Sequence, residues 1–89
     1  MRANVAKVAT VFLRRQNDPA NEYRRLEVLQ DDDEFLLIES TFLARDPSAQ
    51  RTALTNLNTE HVILEQIKQE IDRLEGEGFA VVRKEGRFL

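Results

Sequence analysis

A chain of 89 residues with no cysteine, no tryptophan, one histidine and three glycines lacks the letters for most catalytic and phosphate-loop signatures. Disulfide staples and cysteine-ligated zinc or iron–sulfur centres are excluded, and the length makes one domain, residues 1–89, that buries roughly 60–65% of its unfolded surface. With 42% hydrophobic and 33% charged residues and a net charge of −3, the composition is that of a folded domain, not a disordered segment.

The first residues, Met1-Arg2-Ala3-Asn4-Val5-Ala6-Lys7-Val8, carry early charge and no long apolar run. They predict neither a signal peptide nor a membrane span, and hence a cytoplasmic protein. Residues 5–15 are rich in valine, threonine and phenylalanine and predict a first strand. Asn17-Asp18-Pro19-Ala20-Asn21 reads as a turn, because proline presets φ and Asn/Asp side chains bond the local backbone. Residues 22–30 predict a second strand, Leu26 and Val28 on one face and Arg25 and Glu27 on the other. The tetrad Asp31-Asp32-Asp33-Glu34 reads as a solvated turn that discourages edge pairing. It has neither the alternate spacing nor the glycine of a calcium loop.

Residues 35–43 are partly apolar on both faces and predict a central strand covered on one side by a helix. Asp46-Pro47-Ser48 predicts a turn, and residues 50–57 a fourth strand. Ile63, Ile67, Ile71 and Leu74 recur at spacings of four, four and three and predict an amphipathic helix over about residues 59–75. Asn58 or Thr59 is expected to cap it, with Glu60 in its first turn and Gly76 and Gly78 ending it through positive φ. Residues 79–83 predict a last strand, with Glu85-Gly86 turning the chain toward Arg87-Phe88-Leu89. The stripe is too short to favour a coiled coil. The expected fold class is α+β, an antiparallel sheet of four to five strands with one helix on one face.

Ten of the 13 basic residues are arginine. Coding bias would explain that, and so would a need for planar, bidentate contacts. If the first two strands form a hairpin, Arg14, Arg15, Arg24 and Arg25 converge at its turn end, one from each strand on each face. Arg83, Lys84 and Arg87 join them if the last strand lies nearby. These guanidinium forks suit phosphate or carboxylate groups. The competing reading is a solubilising rim paired to Asp18 and Glu22. His61 can pair with Glu65 at i+4, but a metal or a general base needs more neighbours than that. No metal site and no cofactor is expected. Tyr23 and the phenylalanines at 12, 35, 42, 79 and 88 are assigned mainly to the core, although aromatics also stack on bases.

Asn21-Glu22-Tyr23 leading into Arg24-Arg25-Leu26-Glu27-Val28-Leu29 resembles the asparagine–aromatic opening of the WGR domain, and Gly78-Phe79 resembles its closing glycine–aromatic pair. The order of elements over about residues 12 to 83 is also similar. The resemblance implies a small antiparallel-sheet domain and DNA binding. The Trp-Gly-Arg motif itself is absent, with Glu39-Ser40-Thr41-Phe42-Leu43-Ala44-Arg45 in its place, so no residue role carries over from that region. The expectation is a non-enzymatic module binding nucleic acid through Arg14, Arg15, Arg24, Arg25, Arg83 and Lys84. The alternative is a protein-interaction or self-assembly module, a homodimer included.

Overall fold

The computed structural model describes residues 5–86; the readings made for residues 1–4 and for Arg87, Phe88 and Leu89 lie outside them. The elements run β1 (Val5–Arg15), β2 (Glu22–Asp31), β3 (Glu34–Leu43), β4 (Asp46–Ala53), α1 (Glu60–Gly76) and β5 (Phe79–Gly86). All pairings are antiparallel, in the order β4-β3-β2-β1-β5. The α+β architecture, a five-stranded antiparallel sheet with one helix packed against it, is therefore the observed one.

Alternation divides the sheet into two unlike faces. Ala9, Val11 and Leu13 of β1, Leu26 and Val28 of β2, Phe35 and Leu37 of β3 and Phe79 of β5 share one buried cluster with Ile63, Ile67 and Leu74 of α1. That is the apolar stripe of the helix laid on the apolar face of the sheet, the largest favourable term in a domain of this size. The opposite face presents Thr10, Phe12 and Arg14, then Tyr23, Arg25 and Glu27, then Ile38, Ser40 and Phe42, as the register requires. Among the described residues α1 is the only helix, so this second face carries no covering layer.

Several boundaries differ from the sequence-based expectation. The central strand is β2, and β3 lies one place in from the edge. Its two-sided apolarity reflects Leu36, Ile38 and Phe42 on the bare face. The acidic tetrad is not all turn: Asp31 and Glu34 pair as the last rung of the β2–β3 ladder, leaving Asp32 and Asp33 to turn, with Asp32 at φ 56°. The fourth strand begins earlier than expected and takes in Asp46 and Pro47. Proline is tolerated there because β4 is an edge strand. Beyond Ala53 the chain still follows β3 irregularly, with Leu54 N–H donating to Leu37 O and Phe35 and Asn58 exchanging both backbone bonds.

Thr59 occupies the N-cap position without a side-chain cap, and the Asn58 Oδ1 instead accepts from the Thr59 N–H at 2.9 Å. Gly76 belongs to the helix, and only Gly78, at φ 98°, supplies the left-handed residue that turns the chain into β5. β5 extends to Gly86, which takes φ 108°, and the residues toward which the expected Glu85-Gly86 turn would lead lie outside the described ones.

The predicted β1–β2 turn forms as its residue types dictate. Asp18 accepts from the backbone N–H groups of Ala20 and Glu22 through its two carboxylate oxygens, and Asn17 and Asn21 take φ values of 57° and 53°.

Candidate functional site: the bare face of the sheet

The four turn-end arginines lie at one end of the sheet, two on each face. Leu13 pairs with Arg24 and Arg15 with Phe79, which puts Arg15 and Arg24 on the helix side. Arg14 pairs with Tyr23 and Phe12 with Arg25, which puts Arg14 and Arg25 on the bare side.

The helix-side pair is consumed internally. Arg15 Nε donates to Glu22 Oε1 at 3.0 Å, and Arg24 Nη1 donates to Glu22 Oε2. The two guanidinium groups also lie over the Phe79 ring, 4.4 and 4.9 Å from its centroid. Arg15 Nη1 donates to the Glu77 carbonyl oxygen at the end of α1. Arg73 extends the cluster to Glu39, Glu70 and Glu77 at 3.1, 2.9 and 2.7 Å. The Arg24 hydrogen bond, with Arg15 in support, holds the Glu22 carboxyl below its ordinary range against the opposing effect of burial. Glu70 foremost pushes the Arg73 guanidinium further up. Arg15, Arg24 and Arg73 thus meet Glu22, Glu39, Glu70 and Glu77, so each of these three guanidinium groups is matched by carboxylates.

The bare side has a different balance. Lys7, Arg25 and Arg51 surround one carboxylate, Glu27, at 3.1, 3.2 and 3.9 Å. Glu27 sits in the middle strand and is buried, with Thr10 and Ser40 buried on the same face. Arg14 donates through Nε and Nη2 to the uncharged amide oxygen of Asn21, at 3.1 and 2.6 Å. Arg83 pairs with Glu85 at 3.2 Å in an exposed bridge of little strength. Lys7, Arg14, Arg25, Arg51 and Arg83 therefore face Glu27 and Glu85, an excess of positive charge on a protein whose total is negative. The face turns acidic only toward its far end, at Asp31 and Glu34.

Aromatic rings lie among these cations. Tyr23 and Phe42, cross-strand partners in β2 and β3, stack with centroids 5.3 Å apart and planes 8° from parallel. Arg25 lies 5.6 Å from the Phe42 centroid and Arg83 5.9 Å from that of Phe12. A cleft of about 260 Å³ opens between Phe12, Tyr23, Val82 and Arg83. The assignment of the aromatics to the core thus needs correction. Phe35 and Phe79 are core, whereas Phe12, Tyr23 and Phe42 are half-buried on the uncovered face.

Of the six predicted site residues, Arg14, Arg25 and Arg83 come together here, Arg15 and Arg24 do not, and Lys84, paired with Val11, falls on the helix side of β5. Arg51 and the three aromatics were missed as site residues. The alternation of Phe12 against Val11 and Leu13 was the available signal. His61 does lie 3.4 Å from Glu65, fully on the surface. Among the described residues no three histidine or acidic side chains are placed to hold a metal ion, and no helix is long and apolar enough to cross a membrane. No protein-family model matches the chain, and no curated protein and no solved structure is significantly similar to it.

Proposed function

We propose that the protein is a non-enzymatic nucleic-acid-binding module whose contact surface is the bare face of the sheet, with Arg14, Arg25 and Arg83 on phosphates. The observation that carries this reading is the contrast between the faces. Guanidinium groups near the helix are matched by carboxylates, while on the bare face, away from its acidic end at Asp31 and Glu34, Arg14, Arg25, Arg51 and Arg83 outnumber Glu27 and Glu85 and lie among half-buried rings. A polyanion with aromatic groups is complementary to that surface. The net acidity of the chain is no obstacle, because the surplus acid lies on the outer side of α1 and at the β2–β3 turn. The resemblance to the WGR domain points to the same ligand class.

The test is fluorescence anisotropy of labelled single- and double-stranded oligonucleotides across a salt series. Affinity should fall linearly in log–log form as counterions are released, and Arg14→Ala or Arg83→Ala should each lower the slope by about one. Lys84→Ala should leave it unchanged. No binding at low salt, or binding indifferent to salt, rules the reading out.

A second reading, self-assembly, rests on Val82, 53% exposed on the edge strand β5 beside that cleft, and on the half-buried Leu29, Leu36 and Ile38 of the uncovered face. Sedimentation over a range of concentrations separates the two: a dimer that dissociates on dilution and excludes the oligonucleotide favours it.

A further inference from the structure

We infer that the cleft between Phe12, Tyr23, Val82 and Arg83 takes one unpaired nucleobase, so that the ligand strand is single. The inference rests on the nucleic-acid reading above and adds what part of the nucleic acid is read. Phe12 and Tyr23 stand diagonally on β1 and β2, since Phe12 opposes Arg25 and Arg14 opposes Tyr23. Their rings and the Val82 side chain make the walls apolar, and the planar Arg83 guanidinium closes one side 5.9 Å from the Phe12 centroid. The shape suits a flat ring with a charged group outside it.

The Tyr23 ring is already stacked on Phe42 and so is held in orientation before any ligand arrives. A preoriented platform loses little freedom on binding. Arg14 flanks Tyr23 on the neighbouring strand, its guanidinium held by Asn21 and paired there with no carboxylate. A base in the cleft therefore leaves its 5′ or 3′ phosphate within the positive field of Arg14 and Arg25. A duplex keeps its ring faces stacked and cannot offer one to the cleft without unpairing. An acidic peptide supplies the charge, yet not a flat ring beside each charge.

The experiment compares four labelled probes at one low salt concentration: a single-stranded thymidine oligomer, the same strand in duplex form, an abasic strand of equal length, and inorganic polyphosphate. The single strand should bind about tenfold more tightly than the abasic strand. Tyr23→Ala and Phe12→Ala should each remove about that factor for the single strand and nothing for the abasic one. Val82→Trp, which fills the cleft without taking anything from the platform, should do the same. It keeps the test valid should either truncation melt the sheet. Equal binding of single strand, duplex and abasic strand overturns the base-binding cleft while leaving a phosphate-binding face intact. Failure to bind any of the four removes both readings. An acidic, tyrosine-containing peptide is run as a fifth probe, and its tighter binding, lost in Val82→Trp, overturns the inference in favour of a protein partner.

Discussion

Neighbouring residues in this chain meet different chemical surroundings because an extended backbone turns successive side chains to opposite faces. Arg24 lies in a cluster of carboxylates with 17% of its side chain exposed, while Arg25, one residue on, reaches Ser40 and the Phe42 ring. Glycines show the same dependence on place. Gly76 has helical geometry and open space where a Cβ would stand, so Gly76→Ala should stabilise by about 0.5 kcal/mol through lower unfolded-chain entropy. Gly78 is also roomy, but its φ of 98° penalises any side chain, so Gly78→Ala should cost about 1 kcal/mol or more. Denaturant melts of the two variants should move in opposite directions.

At the level of elements, α1 is attached in two chemically distinct ways. Its apolar stripe is buried along Ile63, Ile67 and Leu74, and Leu74 is wholly inaccessible. Leu74→Ala should cost about 2–5 kcal/mol, a large share of the 5–15 kcal/mol typical of a whole domain, and calorimetry should register a fall in Tm of more than ten degrees. The C-terminal end is held by charge, Arg73 to Glu39 and Arg15 to the Glu77 carbonyl and Glu22. Because the Glu22 pKa is lowered by folding, its contribution is complete above the unfolded value of 4.5 and disappears as pH falls through the lower folded value. The wild-type Tm should therefore drop between pH 7 and about pH 3. Glu22→Gln should start lower at pH 7 and lose less over that interval.

Across the whole molecule, the sheet is completed by its most distant pairing. β1 is flanked by β2, which follows it directly, and by β5, which is the last element in the chain. Ending the chain at Gly78 would strip Phe79 from the core, uncover Leu13 along one side, and leave Arg15 and Arg24 without the ring they enclose. Such a truncated chain should show no cooperative melt by circular dichroism. Charge is organised at this scale too. The excess of cations on one face of an acidic protein is visible only when side chains are sorted by face, since the net figure of −3 averages over both.

What residues 5–86 contain in the way of elements could be read directly from the chain. The bounds of β1, the Asn/Asp turn after it and the isoleucine stripe of α1 rest on preferences expressed within a few residues. Boundaries slipped where two weak signals competed, as at Asp46-Pro47, where a turn-forming pair sits at the start of an edge strand. The candidate site was half legible. Alternation assigned one arginine of each pair to each face, but which face would be covered depended on where α1 packs and on β5 returning beside β1. Arg15 and its partner Glu77 are 62 positions apart, and no local preference reports a contact across that distance. Local chemistry determined the elements. Only the assembled sheet decided which guanidinium groups are neutralised and which remain turned outward among half-buried rings.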